Sequence, residues 1–202
     1  MLNPPERSAE RDAAIVALLP NVVFDGWTMA ALRAAAGPDA DLLFPGGVTD
    51  MIEAYCDLGD RWMEQGAVAA DVSSLRLSQR VRAVVALRLE QNRPYKDAAR
   101  RALAVLALPG NTGLAVRCTT RTVDTIWHAA GDVSADFSWY TKRAILAGVY
   151  GATLLYWLGD GSDDDAPTLA FLDRRLKGVG RIGGIRRRID AAMQRFRPKA
   201  AA

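Results

Sequence analysis

Apolar positions recur every three or four residues along almost the whole chain, and almost no run alternates with period two. The pattern predicts helices and argues against strands. Ala9, Ala13, Val16 and Leu19 share one face of a helix over 6–19, which Pro20 is expected to close. Asp25-Gly26 turns the chain into a helix over 27–36, ended by Gly37-Pro38. After the short segment 39–45, Met51, Tyr55, Leu58 and Trp62 line a long helix over 48–70, with Thr49 or Asp50 as its cap. Leu77, Val81, Val84 or Val85, and Arg88 fall in register over 74–92, and Pro94 opens a further helix over 95–108. Pro109-Gly110-Asn111 breaks the chain before 112–130, which Gly131 closes, and 136–158 is the most apolar helix. Pro167 opens a helix to Lys177, and Gly178, Gly180, Gly183 and Gly184 form a hinge before a last helix over 185–197. About ten helices in 202 residues predict an all-α bundle.

Composition narrows the class. Half of the chain is apolar and 24% is charged, enough for a full core and unlike a disordered segment. The longest uncharged run, Ala144 to Gly159, is shorter than a bilayer helix needs. The first residues, MLNPPERSAERD, contain no apolar signal region and carry acids, so they resemble neither a secretory signal nor a transit peptide. Cys56 and Cys118 cannot build a disulfide framework and are expected in the core. His128 is the only imidazole, which excludes a His-rich zinc site or paired Glu-x-x-His iron ligands. No nucleophile elbow, Walker loop or G-x-G-x-x-G run is present, so the sequence argues against an enzyme. Asp163-Asp164-Asp165 reads as a charged helix start rather than a metal site.

Charge is unevenly divided. Residues 1–75 hold four basic and twelve acidic side chains, whereas from Arg174 to Lys199 there are ten Lys/Arg and one acid, Asp190. The two ends are therefore expected to meet different partners. The first three helices, with Gly26, Ala36-Gly37 and Phe44-Pro45, resemble the start of a TetR-type regulator. Only six residues, PDADLL, separate Gly37 from Phe44, too few for a recognition helix, and they include Asp39 and Asp41 but no cation. DNA binding needs cations for phosphates and polar contacts to base edges, so no nucleic-acid partner is expected. A ligand-responsive regulator of the same fold is the alternative reading.

The segment 131–150, GDVSADFSWYTKRAILAGVY, carries the most specific signal. Trp139, Arg143, Leu146, Tyr150 and Trp157 share a stripe that periodicity alone reads as core, while an adjacent Trp-Tyr pair beside Lys-Arg also has the composition of an interaction hot spot. That pair would equally serve a homodimer. DFSWYTKRAILAGVY, then Thr153, Asp160, Ser162 and SDDDAPTLAFLDRR, together with LLFPGGVTDMI at 42–52, resembles the signature of the ubiquinone-biosynthesis accessory lipid-binding family. The likeness spans roughly residues 8–190. It implies a TetR-like fold and a non-catalytic protein that binds isoprenoid quinone precursors (or phospholipid) and supports the demethoxyubiquinone hydroxylase. It also implies that Asp136, Trp139 and Tyr140, with Arg143 a turn later, contact that hydroxylase. The absent transit peptide points to a bacterial version, cytoplasmic and peripheral on the inner face of the inner membrane.

That role divides the chain into a degenerate helix-turn-helix-like region over 1–73, a lipid-binding region over 74–180 and a membrane-associating tail over 181–202. Val85, Leu89, Leu103, Leu106, Trp127, Ile145, Val149, Ala152 and Tyr156 are candidate cavity residues, each also readable as core. In the tail, Ile185, Ile189, Met193 and Phe196 form one apolar face, and Arg186, Arg187 and Arg188 belong to the basic remainder. A basic amphipathic helix of this kind lies at an anionic membrane surface.

Overall fold

The computed structural model describes residues 4–132 and 138–178, with all side chains except those of 138 and 139. Among the described residues there is no strand. The α-helices are α1 (Ala9–Leu18), α2 (Val22–Asp25), α3 (Met29–Ala36), α4 (Ala40–Leu43), α5 (Val48–Ala69), α6 (Leu77–Asn92), α7 (Lys96–Leu106), α8 (Thr112–Ala129), α9 (Ser138–Gly159) and α10 (166–178). The all-α architecture expected from the sequence is present. The glycine-rich run beyond 178 and the tail helix over 185–197 lie outside the described residues.

Local chemistry sets the helix ends. Ser8 caps α1 by accepting from the Arg11 amide at 3.1 Å, and Thr28 caps α3 by accepting from Ala31 at 3.1 Å. Gly26 and Gly37 end α2 and α3 with φ of 69° and 96°, the left-handed region where a side chain is strained. Two expectations are corrected. Pro20 does not close the first helical run. It sits in the opening turn of a 3-10 segment, Leu19–Asn21, where no amide hydrogen is required, and the chain winds on into α2. Neither Thr49 nor Asp50 caps α5. Gly47, with φ of 66°, takes that place, while the Thr49 hydroxyl donates to the Gly46 carbonyl and Asp50 serves Arg11.

Two apolar clusters share α5. Ile15, Leu18, Leu32, Phe44, Met51 and Leu58 pack α1, α3, α4 and the first half of α5 together, with Ala98 and Ala102 of α7. Met63, Val84, Val85, Ile126, Trp157 and Leu172 join the second half of α5 to α6, α8, α9 and α10. Helix α5 packs most extensively against α8 and α6 and is the axis of the molecule. In the first cluster, Arg11 is almost fully buried. It donates to Asp50 at 2.6 Å and to the Leu43 carbonyl, and its guanidinium lies 4.4 Å over the Phe44 ring. Replacing Arg11 by methionine keeps the volume but removes charge-assisted hydrogen bonds. The expected cost is about 2–3 kcal/mol in urea denaturation, without loss of helix content by circular dichroism.

Candidate functional site

A cavity of about 90 Å³ lies where α5, α6, α7, α8 and α9 converge. One wall is apolar: Leu89 from α6, Ala99, Ala102, Leu103 and Leu106 from α7, and Leu154 and Trp157 from α9. The other end is polar, formed by Tyr55, Cys56, Arg88, Asn92, Cys118, Thr119, Thr122 and Tyr150. The Tyr55 hydroxyl and Asn92 Oδ1 are 2.7 Å apart, and Asn92 donates to the Arg88 carbonyl at 2.7 Å.

Arg88 organises the polar end. It is buried on α6 and reaches α5, 3.5 Å from Asp60 and 3.3 Å from the Cys56 carbonyl. It gets there because Gly59 has no side chain. A Cβ at position 59 would fall 1.5 Å from Arg88 Nη1. Burial works against the Arg88 charge, but Asp60 and the phenols of Tyr150 and Tyr55 outweigh it and hold the guanidinium above its usual range. Thr122 on α8 donates to Asp60 at 2.9 Å. Burial pushes the Asp60 carboxyl up to about 6, against the opposing pull of Arg88 and Thr122.

A second row of charges ties the helices together beside the cavity. Burial opposes ionisation of Asp57. Arg7, at 2.8 and 2.7 Å, and Arg61, at 3.1 Å, overcome it and hold the carboxyl below its ordinary range. Arg61 also pairs with Asp12 through two bonds of 2.7 and 2.6 Å. Arg121 of α8 reaches Glu53 at 3.3 Å and Asp57 at 3.8 Å, and Arg143 of α9 bonds Asp124 of α8.

The expected lipid-binding residues divide among several places. Leu89, Leu103 and Leu106 line this cavity. Trp127, Ile145 and Val149 instead line a second, almost wholly apolar groove of about 240 Å³ with Leu77, Val81, Leu146 and Leu176. Val85 is fully buried in the core and lines neither hollow. Ala152 is half-buried in α9 and also lines neither. Tyr156 is part-exposed and stacks on Phe171 of α10, with ring centroids 4.6 Å apart. The residues named from the sequence thus fall in two separate hollows and outside both.

Of the expected partner-binding residues, Asp136 and the Trp139 side chain lie outside the described residues. Tyr140 is 76% exposed near the start of α9, and Arg143 is half-buried against Asp124. Ile185, Arg186, Arg187, Arg188, Ile189, Met193 and Phe196 also lie outside the described residues. His128 is exposed at the end of α8, its Nε2 3.6 Å from Glu64. The acidic run before α10 has local work to do. Asp160 accepts from the Thr168 amide and hydroxyl and from Ser162, which holds its carboxyl down at about 2, and Asp165 is buried 2.9 Å from Arg93. No group of three potential metal ligands occurs among the described residues.

Reading the sequence missed Arg88, Asp60, Tyr55, Asn92 and Thr122 as site residues. The signal was present: Arg88 is a charge on the otherwise apolar stripe of Val81, Val84 and Val85, and Asp57 and Asp60 flank Leu58 on α5.

Residues 112–183 match the family model COQ9. This segment of the chain is similar to COQ9 proteins. Similar relatives include "Ubiquinone biosynthesis protein COQ9, mitochondrial" of Rattus norvegicus, 42% identical over 108 residues, or 54% of this chain and 35% of that protein. The Homo sapiens protein of the same name is 40% identical over 108 residues, with 54% and 34% covered. The "Probable ubiquinone biosynthesis protein coq9, mitochondrial" of Dictyostelium discoideum is 34% identical over 105 residues, with 52% and 34% covered. The match to these COQ9 relatives thus spans about a third of their length. In fold, the chain is similar to the TetR transcriptional regulator from Nitrosomonas europaea ATCC 19718, with TM-score 0.69, 21% identity, and 84% of this chain and 97% of that one covered. The TetR-like fold is thereby shown.

The Asp60 carboxyl also sets a pH dependence. In the folded chain it keeps its proton up to about pH 6, whereas its ordinary value is 3.8. Between these values the folded state binds more protons than the unfolded one, so Asp60 makes stability fall as pH rises through that window. In urea denaturation from pH 4 to 6.5, Asp60→Asn is expected to flatten this part of the slope. An unchanged slope would show that Asp60 ionises normally.

Proposed function

We propose that this chain is a non-catalytic accessory protein of ubiquinone biosynthesis that binds a hydrophobic quinone precursor and presents it to the demethoxyubiquinone hydroxylase at a membrane surface. The observation that carries the proposal is the two-ended cavity. It has an apolar wall for a prenyl chain and a polar end of Tyr55, Arg88, Asn92, Thr122 and Tyr150 for an oxygen-bearing ring, and several of its residues fall within the COQ9-matched segment. The relatives' naming as ubiquinone biosynthesis proteins supports the choice of quinone.

At about 90 Å³ the cavity holds only a few water-sized molecules, so a prenyl chain enters when a wall yields. Helix α7 supplies most of the apolar wall. Side chains fasten it to neighbouring carbonyls: Lys96 to Asp160, Arg100 to Leu158, Arg101 to Val23, and Trp27 to Ala98 of α7 itself. The hydroxylase is contacted by Asp136, Trp139, Tyr140 and Arg143, of which Tyr140 is exposed near the start of α9. The tail, through Ile185, Arg186, Arg187, Arg188, Ile189, Met193 and Phe196, lies at an anionic membrane surface. No helix among the described residues is long and apolar enough to cross a membrane. A cytoplasmic protein peripheral on the inner membrane fits these features.

The regulator alternative is disfavoured by the N-terminal helices. Each of their cations is already engaged with a carboxylate: Arg7 with Asp57, Arg11 with Asp50, Arg33 with Asp41 and Arg61 with Asp12. Helix α4 is a single turn with acids at Asp39 and Asp41.

Mass spectrometry of small molecules retained by the purified chain is expected to find an isoprenoid quinone precursor. Leu103→Trp, which fills the apolar wall from a half-exposed position, is expected to reduce retention roughly tenfold, about 1.4 kcal/mol, with an unchanged thermal midpoint. Equal retention by the filled variant would remove the cavity from the proposal. Tyr140→Lys is expected to weaken capture of the hydroxylase roughly 30-fold, a hot-spot loss of about 2 kcal/mol, again without a change in melting. Removal of 185–202 is expected to abolish flotation with anionic liposomes while the rest of the helical fold keeps its cooperative melt. Flotation of the truncated chain would refute the membrane tail.

A further inference from the structure

Cys56 of α5 and Cys118 of α8 both line the cavity and lie close enough for each thiol to bias the ionisation of the other. Their placement follows from the register of the two helices. One turn further along the same seam, Thr122 and Asp60 meet at 2.9 Å, with the same separation in sequence as Cys118 and Cys56. Two short side chains in direct contact require close helix axes, and two thiols in the adjacent layer of such a seam are within the reach of a disulfide.

The two thiols are not equivalent. The neighbouring Cys56 thiol and Nη2 of Arg121, 3.9 Å away, favour the Cys118 thiolate and lower its pKa against the opposing effect of burial. The neighbouring Cys118 and desolvation both hold the Cys56 proton more tightly. One nucleophilic thiol beside one waiting thiol is the arrangement of an attacking and a resolving cysteine. The hollow they share has room for molecules the size of water, and the exposed Thr119 stands at its edge. A tripeptide thiol does not fit there.

We infer that Cys56 and Cys118 form a dithiol site for small hydroperoxides, which convert the pair into a disulfide joining α5 to α8 at the cavity wall. The Cys118 thiolate attacks one oxygen of hydrogen peroxide, the O–O bond breaks, and a sulfenic acid and hydroxide form. The hydroxide takes the proton of Cys56 and leaves as water. The Cys56 sulfur then attacks the Cys118 sulfur, the S–O bond breaks, and the departing hydroxide combines with the proton that Cys118 first released. Two thiols and one hydrogen peroxide become one disulfide and two waters.

The site needs no bound lipid, so its failure and that of the lipid-binding reading are separate results. The test uses the full reduced chain, treated with stoichiometric hydrogen peroxide and then denatured for a thiol count with Ellman's reagent. Both thiols are expected to disappear, the chain to remain monomeric on a non-reducing gel, and a dithiol reductant to restore both. Peptide mapping is expected to join the segments containing residues 56 and 118. Glutathione disulfide is expected to leave both thiols intact. Cys56→Ala is expected to stop at the Cys118 sulfenic acid, trapped by dimedone, and Cys118→Ala to leave Cys56 unreacted. Two thiols surviving peroxide in the wild-type chain, or a disulfide formed only between chains, would overturn the inference whether or not the variants fold.

Discussion

The buried pairing of Arg88 with Asp60 is the constraint around which the centre of the bundle is built. It places a guanidinium from α6 against the backbone of α5, in space that exists because residue 59 is glycine. Breaking such a pair leaves an uncompensated charge in the interior, at a cost of about 3–5 kcal/mol. Yet a well-packed apolar pair of the same volume would stabilise the bundle at least as well. Stability therefore does not account for the charges being there. What they provide is a cluster of hydrogen-bonding groups at one end of an otherwise apolar hollow, with Tyr55, Asn92, Thr122 and Tyr150 gathered around them. An apolar core could hold a prenyl chain, but it would offer nothing to a ring oxygen.

The helices were legible because each has one apolar face, and that face is enough to fix element type and order. Their ends were less so. Pro20 reads as a stop, but proline is equally at home in the first turn of a helical segment, and here it occupies that place. Thr49 and Asp50 have the chemistry of caps, and the backbone instead turns at Gly47. The cavity was only partly legible, for a related reason. Residues facing a hollow and residues facing a solid core are both apolar and share the same period. Nothing in the spacing separates Leu89, which lines the cavity, from Val85 one turn earlier, which does not. The polar end was the more readable half, since a charge such as Arg88 on an apolar stripe must find a buried partner. The acids before α10 show the converse. Asp160 and Ser162 belong to the stretch that carries the family likeness, and their visible role here is to hold the start of a helix.

The division of charge along the sequence takes on a different meaning once the chain is folded. The acidic N-terminal third and the basic remainder read as surfaces for different partners, but a share of both is spent on each other. Glu53 receives Arg117 and Arg121, Asp57 receives Arg121, and Asp60 receives Arg88. These pairs lie along α5, the helix common to both apolar clusters, so charge complementarity reinforces the packing that joins the first helices to the rest.

The same pairing separates this chain from the regulators whose fold it shares. A protein that reads DNA leaves cations free at the surface of its first helices, because each phosphate contact requires one and much of the affinity comes from the counterions they displace. Here the four arginines before residue 76 are all turned to carboxylates, two of them, Arg11 and Arg61, substantially buried in doing so. The turn of α4, where a recognition helix would stand, presents Asp41 to Arg33 instead of a cation to a phosphate. The backbone arrangement is TetR-like, while the arginines of residues 1–75 are paired within the chain. The central hollow of this helical scaffold is where the remaining unusual chemistry of the chain is concentrated.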